Sequence, residues 1–257
     1  MIDTHCHLDL AAFDADRDDV VARAAAAGVT GMLVPAVRPR MWAALVAFAA
    51  RHHAAGVRCA LGIHPQVVPE LGEDELAGDL AERIAHATAA SGAIAIGECG
   101  LDGGTADMPA QVTIFRAHLR AARSLKLPVI IHVLRAHDAV PRILREEGPV
   151  TGVLHSYSGG ATLVPVYADL GLAFSFAGPI SYPNARRPRE AARAIPDSLL
   201  LVETDAPDQA PEGHRGGRSE PAFLPAVIAG LAAARDADVS EVASRTTANA
   251  RRVFASW

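Results

Sequence analysis

The sequence predicts an α/β fold of the (β/α)8 barrel (TIM barrel) class, and three observations lead to this prediction. The chain has 257 residues, a length that α/β barrels commonly fill as a single domain. Short β-branched apolar segments alternate with longer Ala-, Leu- and Arg-rich segments of helical period. Eight apolar segments occur, and strict alternation of strand and helix implies parallel strands that can close into a barrel. An open doubly wound sheet is the alternative that this pattern leaves.

The predicted strands are the apolar segments bounded by glycine, proline or polar residues. They cover residues 1–7, 29–35, 57–63, 93–97, 128–132, 150–155, 173–177 and 199–203. The predicted helices occupy the intervals, and Gly28 and Gly56 follow the first two of them, as helix-ending glycines do. They cover residues 17–27, 40–55, 73–90, 110–125, 137–147, 162–170, 187–194, 220–234 and 240–255. No linker-like break interrupts the series, so a single domain over residues 1–257 is expected.

The charge balance limits the ways in which the protein could bind nucleic acid. There are 24 Lys and Arg against 29 Asp and Glu, for a formal net charge of −5. Broad electrostatic binding of nucleic acid needs clustered positive charge, so any phosphate contact is expected to be local. One local cluster follows the seventh predicted strand, and it is either a solvated helix face or a phosphate contact. It comprises Arg186, Arg187, Arg189 and Arg193.

The N-terminal sequence and the cysteines bear on the compartment. The first residues include neither a basic region nor the apolar region of a signal peptide. The longest apolar runs, such as residues 43–50, are well short of the roughly 20 residues that span a bilayer. Cys6, Cys59 and Cys99 are odd in number and widely spaced, which fits reduced thiols. We therefore expect a cytoplasmic protein that does not associate with membranes.

Polar side chains follow the predicted strands at one and the same end. In a barrel enzyme this C-terminal rim carries the chemistry. Seven candidates lie there, namely His5 and His7 after strand one, His64 after strand three, Glu98 after strand four, His132 after strand five, His155 after strand six and Asp205 after strand eight.

These residue types favour a metal centre. His5 and His7 are two positions apart on a strand, so both imidazoles face one side and could bind a divalent ion. Glu98 is a carboxylate whose burial would need a metal ion or an arginine. His132 and His155 could each be packed core histidines, but their coincidence with the other candidates favours ligation. Asp102 is expected to be a turn residue.

The number of candidates indicates two ions rather than one. Six ligands are too many for one tetrahedral ion and suit two ions that share a bridge. The only lysine, Lys126, lies at the wrong end of strand five to form a carbamylated bridge, so Glu98 is the natural bridging residue. We expect two divalent ions (Zn, Mg or Mn), one held by His5, His7, Glu98 and Asp205 and the other by Glu98, His132 and His155. Asp205 could accept a proton from the attacking water.

Two further residues are expected near the substrate. His64 lies at the rim without an obvious ligand partner, so substrate contact is expected for it. Glu203 leaves strand eight on the same face as Asp205, which leaves substrate contact and a buried supporting role both open.

The motifs around these residues resemble those of the TatD family of metal-dependent deoxyribonucleases. They are Asp3-Thr4-His5-Cys6-His7, Gly62-Ile63-His64-Pro65, Ile96-Gly97-Glu98-Cys99-Gly100-Leu101-Asp102, Leu127-Pro128-Val129-Ile130-Ile131-His132, His155-Ser156-Tyr157-Ser158-Gly159 and Glu203-Thr204-Asp205-Ala206-Pro207.

This resemblance implies a TIM barrel of the amidohydrolase type with two divalent ions. It also implies 3′ to 5′ exonuclease action on DNA, the ligand roles given above, and substrate contact by His64 and by the region of Arg218. The sequence departs from the family pattern at Leu134, which precedes Arg135, and at Ser219.

The expected function is therefore hydrolysis of phosphodiester bonds at the ends of nucleic acids, with single-stranded DNA as the substrate and the chain acting as a 3′ to 5′ exodeoxyribonuclease. The acidic charge and Leu134 favour one alternative, a metal-dependent hydrolase of a small ester, lactone, amide or aminoacyl substrate on the same barrel. A barrel that only binds a ligand or partner is the third possibility.

Overall fold

The computed structural model, which describes residues 1–255, is a barrel of eight parallel strands with helices between them. The strands are β1 (Ile2–Asp3), β2 (Gly31–Pro35), β3 (Val57–Leu61), β4 (Ala95–Asp102), β5 (Val129–Leu134), β6 (Gly152–Leu154), β7 (Leu172–Phe176) and β8 (Leu200–Val202). They pair in chain order, and every pairing is parallel. The (β/α)8 barrel is therefore confirmed, and the open doubly wound alternative is wrong.

The helices lie between successive strands and after the last one. They are α1 (Arg17–Ala26), α2 (Trp42–Arg51), α3 (Glu73–Leu76), α4 (Leu80–Ser91), α5 (Met108–Leu125), α6 (Val140–Glu147), α7 (Val164–Ala168), α8 (Arg186–Ala194), α9 (Leu224–Arg235) and α10 (Val239–Val253). Within residues 1–255, no helix has the length and apolar character needed to cross a membrane.

The barrel closes where the segment after β1 meets β8 and the segment that follows it. Thr4 donates its backbone N–H and its hydroxyl to the carbonyl oxygen of Val202, at 3.1 and 2.9 Å. One step further along, the N–H of Asp205 donates to the carbonyl oxygen of His5 at 2.9 Å. Closure therefore brings residues from the two ends of the barrel sequence side by side at its mouth.

Two of the three apolar clusters among the described residues involve the strands of the barrel. A large cluster packs between the strands and the surrounding helices, and a smaller one fills the barrel interior, with Leu33 and Ile130 among its members. Phe254, which follows α10, belongs to the interior cluster. Each large side chain buried in this way contributes about 1.5–3 kcal/mol relative to exposure.

Alternate residues of a strand face the barrel interior, and at the ends of two strands the inward-facing residues are polar. Ile130 and Val153 belong to the interior cluster, and side chains two positions further along a strand face the same side. Those positions are His132 and His155. The two histidines thus continue the interior columns beyond the apolar layer, where His155 is buried and His132 is partly buried.

Several predicted boundaries differ from the structure. β1 ends at Asp3 instead of residue 7, so His5 and His7 lie on an irregular segment after the strand. β4 runs to Asp102 instead of residue 97, which places Glu98 within the strand. The predicted helix 73–90 is two helices, because Gly78 adopts a φ of 74° and the carboxylate of Asp79 caps α4 by accepting from the N–H of Glu82.

Candidate metal centre

Glu98 lies at an irregularity of β4. Its neighbours Ile96 and Cys99 pair with Val129 and Ile131 of β5, so β4 accommodates one extra residue between them. Such bulges redirect side chains and are common next to active sites. Gly97 permits the bulge, because its φ is 133° and an added Cβ would lie 2.6 Å from the carbonyl oxygen of Ile130. As a result the fully buried carboxylate of Glu98 reaches the centre of the barrel mouth.

One carboxylate oxygen of Glu98 faces the residues of the two barrel ends. Glu98 Oε2 lies 3.1 Å from His5 Nε2 and 3.3 Å from His7 Nε2. Asp205 Oδ1 lies 3.6 Å from His5 Nε2 and 3.9 Å from His7 Nε2. We call His5, His7 and Asp205, together with Glu98 Oε2, the first donor group.

The other oxygen of Glu98 faces a separate pair of histidines. Glu98 Oε1 lies 2.7 Å from His155 Nε2 and 3.1 Å from His132 Nδ1. These two ring nitrogens are 3.0 Å apart. We call His132 and His155, together with Glu98 Oε1, the second donor group.

His64 also reaches Glu98 Oε1, with its Nε2 at 2.9 Å. The His64 Nδ1 atom accepts a hydrogen bond from the N–H of Gln66 at 3.1 Å. Burial lowers the pKa of His64, and in a neutral imidazole that accepts through Nδ1 the proton sits on Nε2. His64 is therefore a hydrogen-bond donor towards the centre, and its predicted contact with substrate stays a prediction.

Both donor groups fit a divalent cation. Three sets of donor atoms lie within 4.8 Å of one another, namely His5-His7-Asp205, His5-Glu98-His155 and His64-Glu98-His132. The first set belongs to the first donor group, the second joins the two groups through Glu98, and the third adds His64 to the side of His132. Glu98 Oε2 is buried without a hydrogen-bond partner in the described chain. Burial alone would raise the pKa of Glu98, but the histidines around it, His155 and His64 foremost, hold that pKa well below its usual range. An ionised carboxylate among imidazoles is the ligand set that zinc and similar ions prefer.

Asp205 is the carboxylate of the centre that also borders open space. It is 8% exposed and lines the pocket described below. Burial raises the pKa of Asp205 above its ordinary value. Gln209 donates from its side-chain amide to Asp205 Oδ2, so the two carboxylate oxygens have different surroundings. Oδ1 faces the first donor group, whereas Oδ2 is held by the loop that follows β8.

Glu203 lies behind His155 and not in the pocket. It is fully buried, and it accepts hydrogen bonds from the N–H of Ser156 at 2.6 Å and from the hydroxyl of Ser175. Its Oε1 lies 3.5 Å from His155 Nδ1. Glu203 is not among the residues that line the pocket described below, and substrate contact by Glu203 stays a prediction. The buried supporting role is the one that the geometry favours.

Asp102 is a second buried carboxylate, and the turn position expected for it is confirmed, because its Oδ1 accepts from the N–H of Gly104 at 2.7 Å and its carbonyl oxygen from the N–H of Thr105 at 3.1 Å. It ends β4, and its Oδ2 accepts a hydrogen bond from Gln66 Nε2 at 2.8 Å and lies 3.5 Å from His132 Nε2. The nearby His132 ring holds the pKa of Asp102 below its usual range, although burial acts in the opposite direction. A signal was present in the sequence, because Asp102 is four positions beyond Glu98 and so on the same strand face.

Arg218 is not among the residues that line the pocket described below, and its predicted contact with substrate stays a prediction. Its guanidinium donates to both carboxylate oxygens of Asp16, at 2.8 and 2.7 Å, and to the carbonyl oxygen of Ala12 at 2.7 Å. It also packs over the ring of Phe13, 4.6 Å from the centroid. Arg218 therefore fastens the loop after β8 to the segment before α1.

A pocket of about 510 Å³ opens above the two donor groups. The metal-ligand candidates His7, Glu98, His132, His155 and Asp205 line it, together with His64. Its other lining residues are Leu10, Val37, Gln66, Val67, Val133, Leu134, Ser156, Ser158, Asp208 and Gln209. None of these is Lys or Arg, so the predicted basic cluster at residues 186–193 does not line the pocket. Leu134 is 37% exposed there.

Comparison with known proteins gives a consistent result. The model of a family described as TatD-related DNase matches residues 2–255. A Bacillus subtilis protein described as the uncharacterized metal-dependent hydrolase YabD is 34% identical over 259 residues, which cover 99% of this chain and 98% of the relative. An Erwinia amylovora protein named 3′-5′ ssDNA/RNA exonuclease TatD is 34% identical over 263 residues, covering 99% of both chains.

The solved structures agree with the sequence relatives. The crystal structure of YJJV from Escherichia coli K12, described as a TatD homologue, superimposes with a TM-score of 0.90 at 32% identity. The match covers 99% of this chain and 98% of that one.

Proposed function

The chain belongs to the TatD-related DNase family of metal-dependent hydrolases, and from this premise we propose that it removes nucleotides from the 3′ ends of single-stranded DNA. The observation that carries the proposal is the position of Glu98, whose two oxygens each face a separate donor group. The Erwinia relative, whose name specifies a 3′-5′ exonuclease of single-stranded DNA and RNA, supports the substrate class and the polarity.

The proposed centre holds two divalent ions. The first donor group would bind one ion, the second would bind the other, and Glu98 would bridge them. Zn, Mg and Mn all accept such ligands. Two ions bound in this way stabilise the charge on a phosphoryl oxygen and lower the pKa of water.

Two pocket residues have roles of their own in this proposal. Asp205 combines a raised pKa with access to the pocket, so it can accept a proton from the attacking water. His64 lines the pocket, and when Glu98 Oε1 ligates a metal ion, the His64 Nε2–H that lies 2.9 Å from that oxygen would be free to donate to an oxygen of the scissile phosphate.

The shape and charge of the pocket favour binding at an end of the strand. The pocket volume of about 510 Å³ is in the range of small-ligand sites. A pocket of this volume is too small to enclose a long stretch of nucleic acid. No Lys or Arg lines it, so sequence-independent attraction of the backbone is weak there. The terminal nucleotide would be held by the metal centre instead.

One observation favours a second candidate function. Leu134, Val67 and Leu10 give part of the pocket an apolar wall. Such a wall suits a small ester, lactone, amide or aminoacyl substrate.

The two candidates are separated by incubating the protein with single-stranded DNA and RNA labelled at the 5′ end, in Mg²⁺, Mn²⁺ or Zn²⁺. Stepwise shortening from the 3′ end is expected, while circular single-stranded DNA, which has no end, stays intact. An Asp205→Asn protein is the matched inactive control. Failure to shorten the oligonucleotide with any ion, combined with turnover of small esters, would reverse the order of the two candidates.

A further inference from the structure

The two donor groups differ in what lies behind their histidines. Each histidine has one ring nitrogen towards Glu98 and one remote nitrogen, which in all four cases is buried without a hydrogen bond in the described chain. In the second group a carboxylate oxygen stands 3.5 Å from each remote nitrogen, from Asp102 at His132 and from Glu203 at His155. In the first group, the carboxylate contacts of His5 and His7 involve Nε2, the nitrogen that faces Glu98.

Asp102 is held so that one of its oxygens is directed at His132. Asp102 Oδ1 accepts from the N–H of Gly104 at 2.7 Å, and Oδ2 accepts from Gln66 Nε2 at 2.8 Å. A carboxylate oxygen has room for a second donor. The remaining acceptor capacity of Oδ2 faces His132 Nε2, which has no other partner within the described residues.

This arrangement determines which nitrogen of His132 is free. A proton on Nε2, facing Asp102, leaves the lone pair of Nδ1 directed at Glu98 and His155. Carboxylates that accept a hydrogen bond from the remote nitrogen of a metal-binding histidine fix its tautomer and raise its basicity.

Gln66 connects this carboxylate to the other end of the pocket. Its backbone N–H donates to His64 Nδ1, and its side-chain amide donates to Asp102. A single exposed residue of the loop after β3 therefore orients both the candidate donor to substrate and the residue behind His132.

We propose that Asp102 is a positioning residue for the metal ion of the second donor group, that it acts through His132, and that it sets the affinity of that ion without affecting the ion of the first group. The inference rests on the proposed two-metal centre. It adds that the second site is tuned separately from the first, by a carboxylate that is proposed to contact neither metal nor substrate.

The test measures Mn²⁺ binding to purified Asp102→Asn protein by calorimetry and by electron paramagnetic resonance, with no substrate present. Asparagine keeps the size of the side chain and an acceptor oxygen, but it removes the negative charge facing His132. We expect one Mn²⁺ to bind as in the wild type and the other about 10- to 100-fold more weakly. The spin-coupled signal of paired Mn²⁺ should be replaced by the signal of a single ion until excess Mn²⁺ is added.

Two further variants separate positioning from a general structural role. Asp107→Asn alters the next carboxylate along the same connection, which caps α5 by accepting from the N–H of Ala110 at 3.2 Å and contacts no histidine. It should bind both ions normally. Gln66→Ala removes one support of Asp102 at an exposed position, and it should weaken the same single ion as Asp102→Asn.

The possible results are distinguishable. Wild-type protein that binds two ions, with an Asp102→Asn protein that binds both equally well, overturns the inference and leaves the proposed function standing. Equal weakening of both ions, accompanied by a lower melting temperature, also overturns the inference, since it indicates general loss of structure. Wild-type protein that binds fewer than two ions overturns the two-metal centre itself. If Asp102→Asn does not fold, the same Mn²⁺ binding measurements on the Gln66→Ala protein distinguish between these results.

Discussion

Replacement of Glu98 by glutamine should abolish the paired metal centre. The carboxylate directs one oxygen at each donor group, whereas an amide has one oxygen and one NH2 group, which cannot ligate a cation. The glutamine side chain can therefore ligate a metal ion in only one of the two donor groups, and it adds no negative charge to either group. We expect Glu98→Gln protein to bind at most one ion and to lose hydrolytic activity.

The size of the effect can be worked out from metal-dependent stability. Removing a residue that hydrogen-bonds to a metal ligand lowers the metal affinity about 10- to 100-fold. Removing a ligand that both ions share should therefore lower the affinity for each ion at least about 100-fold. At a metal concentration of 100 times Kd, each site adds about 2.7 kcal/mol to the free energy of unfolding. After a 100-fold loss the same concentration equals Kd, and the gain falls to about 0.4 kcal/mol. The difference of about 2 kcal/mol for each site corresponds to a shift in Tm of several degrees.

The assay is thermal unfolding with and without Mn²⁺, read together with hydrolysis of labelled oligonucleotide. Glu147→Gln is the matched control, because Glu147 is a largely buried glutamate that pairs with Arg116 and Arg120 far from the centre. It should lower Tm equally with and without metal and keep the Mn²⁺-induced rise. An Mn²⁺-induced rise in Glu98→Gln equal to that of the wild type would refute the bridging role.

Three other predictions concern residues outside the ligand set. His118 donates to the carbonyl of Ile114 and accepts from the N–H of Ile63, and burial lowers its pKa to about 4. Since this folded-state pKa lies below the unfolded value of about 6.5, the stability that neutral His118 contributes is complete above pH 6.5 and falls by about 3 kcal/mol in total towards pH 4. Urea unfolding should show the stability advantage of wild type over His118→Gln shrinking across that interval, and a constant difference would contradict the assignment. Leu134→Arg adds a cation to the pocket wall, so it should lower KM for oligonucleotides and steepen the salt dependence of binding by about 0.7 in log–log slope; an unchanged slope would show that the strand does not pass this wall. Arg218→Ala should lower Tm because the hydrogen bonds to Asp16 are lost, and it should leave KM for oligonucleotides unchanged. A raised KM at unchanged Tm would instead indicate that Arg218 contacts the substrate.

The fold and the identity of the clustered residues could be predicted from the sequence because both depend on the spacing of apolar and polar residues along the strands and helices. Alternating apolar segments fix the strand faces, and the mouth of a barrel gathers whatever polar residues end the strands. His132 and His155 follow directly from this reasoning, as they continue the interior columns begun by Ile130 and Val153. That all six proposed ligands bind metal stays a prediction.

The remaining features depend on contacts between distant segments, which period does not encode. The apolar pattern predicts that β4 ends before Glu98, because that pattern does not encode the bulge at Gly97. The family resemblance implies substrate contact for the region of Arg218, whereas its pairing with Asp16, about 200 positions away in the sequence, becomes evident only in the folded chain. Asp102 occupies the expected turn, but only the folded chain shows that its carboxylate also lies near His132.

The most direct test of the two-metal proposal is anomalous diffraction from crystals of this protein grown with Mn²⁺ or Zn²⁺. We predict two anomalous peaks about 4 Å apart, one on each side of the Glu98 carboxylate, beside His5 and His7 on one side and beside His132 and His155 on the other. A single peak, or two peaks that do not share Glu98, would contradict the account.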